Sequence, residues 1–296
     1  MDVLVVVLFG LTPALSWGVS DFLYAKSSQR FGSFKAALAV NSTGALVYGL
    51  AYVCFLHRGA TFSAQGMIYA VIGSISFGLA QVLFSKSLEI GPVSLASPIS
   101  STYPLVALVL GLLLFHAKIA LLQIAGIGMI VAGVMIASGI LQLQKSDRRL
   151  GAGPLFALGA AVGWGVGLGF VAHAMTLMTW QGVFLVELLT APAVLLVVAL
   201  TVKRTEHVSV ATLRKVLRSR VVWATGVIQM VGLLMLNLGM AHFRDSGVVI
   251  VAISSCYPAL TIFLALQHLD EKVPLVPLLG GMLGVVGVVV LALGGA

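Results

Sequence analysis

The chain has 296 residues, of which 60% are hydrophobic and 9% charged, with a mean hydropathy of +1.11. Soluble domains carry about 45–50% apolar and roughly 25% charged residues, so this composition cannot cover a water-facing surface and excludes soluble enzymes, DNA-binding domains and disordered chains. A net charge of +8 and a pI near 9.8 point, in a membrane protein, to basic cytoplasmic loops and not to nucleic acid. Cys54 and Cys256 each lie inside an apolar run, and their spacing implies neither a disulfide framework nor a metal site.

A spanning helix needs about 20 apolar residues to cross roughly 30 Å of hydrocarbon. Ten such runs are predicted, over 3–25, 34–56, 66–88, 93–114, 119–141, 153–175, 180–202, 220–243, 247–268 and 273–294. The first is a span and not a signal peptide, because no basic stretch precedes it and it runs too long, with Asp21 near its end. Short connections make neighbouring spans antiparallel. The longest, Gln142–Ala152 and Lys203–Ser219, are too short to form domains. Backbone polar groups in lipid must pair within the segment, so the fold class is all-α, a polytopic membrane helical bundle.

The chain repeats itself. Ile99-Ser100-Ser101-Thr102-Tyr103-Pro104 returns as Ile253-Ser254-Ser255-Cys256-Tyr257-Pro258, a shift of 154 that also carries Lys118 to Lys272, Gly126 to Gly280 and Gly133 to Gly287. Trp17-Gly18-Val19 matches Trp164-Gly165-Val166 at a shift of 147. Each half, 1–146 and 147–296, then holds five spans. An odd number inverts the second copy relative to the first. Inverted repeats are typical of secondary transporters, whose substrate site lies near the midplane between the halves.

These residues resemble a known family. Two five-helix repeats, each with Trp-Gly in its first helix and a Ser/Ala-rich segment before a proline in its fourth, are similar to the EamA-like branch of the drug/metabolite transporter superfamily. The family's Gly-Glu-Lys/Arg corner is kept as Asp270-Glu271-Lys272, followed by Gly280, Gly281, Gly284 and Gly287, whereas the first copy has His116-Ala117-Lys118. The resemblance implies transport of small solutes: members export amino acids and other metabolites, and some take up solutes such as choline.

Connections after odd-numbered spans hold Lys26, Arg30, Lys35, Lys86, Lys145, Arg148, Arg149, Lys203, Arg204, Arg214, Lys215, Arg218, Arg220 and Lys272; those after even-numbered spans hold Arg58, Lys118 and Arg244. Positive loops stay inside, so in a bacterial inner (plasma) membrane both termini are expected outside. Family habit puts them in the cytoplasm.

Proline frees the carbonyl four residues earlier. Pro104 and Pro258, with Ser100, Ser101, Ser254, Ser255, Tyr103 and Tyr257 beside them, are therefore expected to break spans four and nine and line the pathway. The alternative is a tolerated kink whose hydroxyls bond back to their own helix. Trp17 and Trp164 sit at matched positions well inside spans one and six, as packing filler or as an aromatic wall. With the two tyrosines such a wall could hold a quaternary ammonium by cation–π contact.

Ionisable groups inside spans are functional by default. Glu187 is placed roughly 10 Å below the outer surface at helical rise, and its repeat counterpart at a shift of 146 is Asn41. Asp21 and Lys86 are read near the inner ends of spans one and three, as an interfacial ion pair, a snorkelling lysine or coupling groups. His173 and His242 fall near outer ends; His173 is a candidate proton carrier. Gln81, Gln229 and Asn237 read as interhelical bonding groups. Asp21 and Glu187 are placed near opposite faces, roughly 13 Å apart in depth on a 30 Å core, too far to share one bond in catalysis.

No His-Glu-x-x-His or Walker-type motif occurs. The sequence therefore predicts a secondary transporter and no enzyme, with no cofactor or metal implied. Its partners are the bilayer, a small polar metabolite, amino-acid-like or related, and a candidate proton or ion gradient. The alternative substrate is an organic cation.

Overall fold

The computed structural model describes residues 3–115, 120–137, 152–201, 210–243, 246–269 and 274–294. Among them there is no strand; the protein is all helix. In chain order the elements are α1 (Val3–Phe31), α2 (Ser33–Ala51), α3 (Ala64–Ile90), α4 (Val93–Ser100), α5 (Tyr103–Phe115), α6 (Leu121–Ala137), α7 (Gly153–Leu177), α8 (Trp180–Thr201), α9 (Val210–Leu217), α10 (Arg220–His242), α11 (Gly247–Ser254), α12 (Tyr257–His268) and α13 (Leu275–Leu293). Seven helical stretches are long and apolar enough to cross a membrane, and the shorter Leu121–Gly133 and Leu278–Leu291 are apolar as well. Corners at 116–118 and 270–272 and the connections 142–151 and 203–209 lie outside the described residues.

The surface is turned inside out relative to a soluble protein. On α1, Leu4, Leu8, Leu11 and Leu15 are all exposed, forming one lipid-facing stripe, while Ser16, Ser20 and Asp21 are buried. Asn41, Gln81, Glu187 and Asn237 are buried too. Apolar groups face outward where lipid solvates them, and polar groups gather inside.

Two corrections concern helix ends. Span one was expected to finish near residue 25, but α1 runs to Phe31 and stops at Gly32, whose φ of 87° suits a residue without Cβ. Polar residues 26–30 emerge from the apolar zone still helical, because helices stop at caps and not where hydropathy falls. Lys203–Ser219 was expected to be only a connection. It contains the helix α9, whose Leu213, Val216 and Leu217 pack into the largest core cluster.

Spans four and nine are broken, each as two helices. Between α4 and α5, Thr102 N–H donates to the Ile99 carbonyl (3.3 Å) and Leu105 N–H to that of Thr102 (3.0 Å). Between α11 and α12, Cys256 N–H donates to Ile253 (3.1 Å) and Ala259 N–H to Cys256 (3.1 Å). Both breaks are thus closed by the same tight i→i−3 turns, and Pro104 and Pro258 each sit second in the helix that follows.

Packing partners correspond under the sequence repeat. Helix α3 packs on α7 and α10 on α1; α5 packs on α7 and α12 on α1; α3 touches α8 and α10 touches α2. At residue level, Gly165 lies against Val106 and the Tyr103 carbonyl, and Gly18 against Leu260 and the Tyr257 carbonyl. These are the same positions in the two copies. Helices α6 and α13 cross at their glycines, where a Cβ on Gly133 would stand 2.7 Å from the Gly280 carbonyl oxygen. Close backbone approach of this kind replaces the hydrophobic effect as the cohesive force between helices in lipid.

One feature breaks the correspondence. Helices α1 and α2 both pack firmly on α3, whereas the matching α8 touches α10 lightly and α7 has no substantial packing with it among the described residues. The largest core cluster lies at the end of the bundle that carries Lys26, Arg30, Lys35 and Lys86, and it joins Tyr24, Phe34, Phe84, Leu88, Val93 and Leu195. That end is sealed. Replacing Gly133 with Val should overpack the α6–α13 crossing and cost about 1–3 kcal/mol, read as a lower thermal unfolding midpoint in detergent; an unchanged midpoint would contradict the packing described.

Candidate functional site

A cavity of about 150 Å³ lies in the middle of the bundle, the size of an engineered cavity that holds benzene. Its walls bring together Trp17, Tyr103, Trp164 and Tyr257, the matched aromatics of the two halves, and both intramembrane carboxyls, Asp21 and Glu187. Asn41, Gln81, Gln229 and Asn237 also line it. No Lys, Arg or His does among the described residues.

The aromatics are set by the broken helices. Each tyrosine opens the helix after a break, and each meets the tryptophan of the other half edge to face: Trp17 and Tyr257 at 5.9 Å and 84°, Trp164 and Tyr103 at 6.3 Å and 88°. T-shaped pairs match the positive ring edge to the negative ring face. Trp17 Nε1–H donates to the Gln229 carbonyl at 3.2 Å, which fixes its ring across α1 and α10. Trp164 packs on Phe84 at 4.8 Å, joining the cavity wall to the sealed end.

Glu187 is held from one side only. Its Oε2 accepts from Asn237 Nδ2 at 3.1 Å, between α8 and α10. Its Oε1 is buried with no hydrogen-bond partner among the described residues, as is Gln229 Oε1 on the same cavity. Buried acceptors left open are rare and call for a ligand or a proton. Asn41, the repeat counterpart of Glu187, donates Nδ2–H to the Ala37 carbonyl at 2.9 Å.

Asp21 requires a correction. It was expected near an interface, well separated in depth from Glu187. Because α1 continues to Phe31, Asp21 is about 15 Å from the helix end at 1.5 Å per residue, buried, and on the same cavity as Glu187. Its Oδ2 accepts from Ser97 Oγ at 2.8 Å. Lys86 does not join it; Lys86 Nζ pairs with Glu89 Oε2 at 3.0 Å, away from the cavity.

The serines at the breaks are buried but do not line the cavity. Ser100 and Ser101 donate to the carbonyls of Ser97 and Pro98 at 2.9 Å each, and Ser254 and Ser255 both donate to Val251, at 2.9 and 2.8 Å. They re-pair carbonyls of their own helix, the alternative weighed from the sequence. Ser100 Oγ also stands 3.4 Å from the Tyr257 hydroxyl. Pro258 is buried behind the cavity, while Pro104 and His173 line a second, larger cavity of about 830 Å³. Leu168 borders both cavities.

Ser97, Ser74, Phe77, Phe84 and Pro192 were not read as site residues, and Gln81, Gln229 and Asn237 were read as bonding groups only. The Asn237–Glu187 bond joins residues on different helices and leaves no mark in the local pattern.

Residues 4–139 match the model of the EamA-like transporter family. That stretch resembles the family. An Archaeoglobus fulgidus protein described as an uncharacterized transporter is 26% identical over 163 residues, 55% of this chain and 56% of that protein. The alignment therefore spans little more than half of that curated relative. A solved crystal structure shares the fold with a TM-score of 0.61 over 97% of this chain and 96% of its own, at 21% identity. An EamA-like segment and multiple apolar helices support a multi-pass membrane protein.

The helices break where Tyr103 and Tyr257 meet the cavity, so Pro104→Ala or Pro258→Ala, which restores an N–H donor, should lower flux at either site while leaving expression and folding largely intact. Wild-type flux in the double variant would leave the prolines without a role in transport.

Proposed function

We propose that the protein is a secondary transporter in which two inverted five-helix repeats, 1–146 and 147–296, alternate access to the central cavity. The observation that carries this reading is the central cavity at the junction of the repeats, lined by matched aromatics and by both carboxyls. The corresponding contacts of Gly18 and Gly165 support two copies of one fold, and an odd number of spans per copy supports their inversion, as in ten-span transporters. One sealed end and a large cavity toward the other fit one of two alternating states. No covalent step is required.

The substrate is a small polar metabolite whose recognised group is a cation. Two carboxyls and no basic side chain line the cavity among the described residues, so a positive group finds partners there and a free carboxylate does not. The four paired rings favour an amine or quaternary ammonium, since cations bind over the faces of Trp and Tyr. This observation favours the organic-cation alternative over a zwitterion such as an amino acid. Charge distribution supports a bacterial inner-membrane orientation with the sealed, basic end in the cytoplasm and both termini outside.

Proteoliposome flux with a panel of amines, quaternary ammonium compounds and amino acids, with and without a pH gradient, tests the reading. Uptake of cations that other panel cations inhibit is expected; absence of flux for every panel member would overturn it. Glu187→Gln keeps shape and hydrogen bonding but removes charge and titration. It should reduce flux strongly and abolish its dependence on pH between about 5 and 8, whereas a wild-type profile would make Glu187 structural. A reporter fused after Ala296 should be active only if it works outside the cytoplasm; a cytoplasmic reporter active there would favour the family's usual arrangement.

A further inference from the structure

Asp21 is bonded to a broken helix. Ser97 Oγ donates to Asp21 Oδ2 at 2.8 Å, and Ser97 lies on α4 one turn before the break. The Ser97 carbonyl accepts from Ser100 Oγ at 2.9 Å, and Ser100 Oγ lies 3.4 Å from the Tyr257 hydroxyl. A polar path thus runs from Asp21 through α4 to the first residue of α12. At the matching positions of the second half stand Leu168 (a shift of 147) and Val251 (a shift of 154), and both line the larger cavity. One structural position is therefore polar and closed in the first half, apolar and open in the second.

Asp21 lies between the cavity and the packed end. Tyr24 and Ala25, one turn on, belong to the core cluster that closes the basic end. The α1–α2 corner is pinned to α3 there: Ser85 Oγ donates to the Ser33 carbonyl at 2.6 Å, and Glu89 Oε2 accepts from Ser33 N–H at 3.2 Å. The titratable groups near Asp21 are Tyr24 on its own helix and Tyr257 on α12, both close enough for their charges to interact with its own. Helices α2, α3 and α10 bring the uncharged Asn41, Gln81, Gln229 and Asn237 to the cavity, α5 brings Tyr103 and α8 the second carboxyl, Glu187, while Ser97 of α4 bonds Asp21 from outside the cavity lining. No basic group lines the cavity among the described residues. An ionised Asp21 in the sealed state therefore has a hydroxyl donor and no countercharge. Buried charge without a countercharge favours whichever conformation lets water reach it.

We propose that Asp21 and Ser97 form a proton-operated latch: with Asp21 neutral, α4 stays in the sealed arrangement, and loss of its proton to water opens the basic end. The latch takes its purpose from the transport reading above, but its own test needs no substrate. It also separates the two carboxyls, with Asp21 governing the sealed end and Glu187 receiving the solute.

Val40 lies in the seal and is 1% exposed, so a thiol placed there reports opening. The full chain carrying Val40→Cys, Cys54→Ser and Cys256→Ser is reconstituted in nanodiscs and labelled with a maleimide at about pH 5 and about pH 8. The same protein with Asp21→Asn supplies the reference and cancels the thiol's own pH dependence. The expected result is equal labelling at low pH and roughly tenfold faster labelling at high pH when Asp21 is present. Adding Glu187→Gln should preserve this difference, and adding Ser97→Ala, which removes the hydroxyl donor to an ionised Asp21, should enlarge it; no change with Ser97→Ala would take Ser97 out of the latch. Equal rates with and without Asp21 at high pH, or a difference that vanishes with Glu187→Gln, would overturn the latch. Should the Val40→Cys protein fail to fold, Ala96→Cys in the same cluster is read in the same way. A panel without flux but with the labelling difference intact would remove the transport reading and leave the latch standing.

Discussion

A polypeptide in hydrocarbon has no water to accept its backbone hydrogen bonds, and the central architecture follows from how this chain meets that constraint. Two spans are interrupted, and each interruption is closed by tight i→i−3 turns, with serine hydroxyls bonding back to carbonyls of the preceding helix. Tyr103 and Tyr257, the first residues of the helices after the breaks, line the cavity, and the tryptophans facing them complete its aromatic walls. The cavity wall is left to the aromatics, the amides and the two carboxyls.

Correspondence between the halves is close in packing and poor in chemistry. Gly18 and Gly165 make the same contacts, yet Asn41 stands where the second half has Glu187, and Asp21 where it has Leu168. Backbone geometry tolerates such exchanges because glycine contacts and aromatic pairs set helix spacing. Each half thus contributes one carboxyl, from a different helix of its repeat. A bundle whose halves correspond can in this way carry different chemistry at matching positions while keeping the same helix contacts.

The two ends also differ in packing. Where α1, α2 and α3 converge, small and aromatic side chains fill the space and hydrogen bonds pin the corner; the equivalent helices of the second half stand apart. Close-packed interiors have few intermediate arrangements, so exchanging the packing of the two ends is a transition between discrete states. The large cavity beside Leu168 and Val251 is the volume that such an exchange would close.

The all-helical class, the positions of both breaks, the matched aromatics and the burial of Glu187 were legible in the amino-acid order, because they depend on hydropathy, proline chemistry and a repeat, all local or periodic signals. Tertiary structure decided the rest. The extension of α1 past its polar residues to Gly32 moved Asp21 from an interface into the cavity, since a cap and not composition ends a helix. Rotation about helix axes turned Ser100, Ser101, Ser254 and Ser255 away from the cavity and aimed Gln81, Gln229 and Asn237 at it. The bonds Asp21–Ser97 and Glu187–Asn237 join residues far apart in the chain. Which residues meet across a bundle is fixed by crossing angles and helix register, and these exist only once the helices are packed.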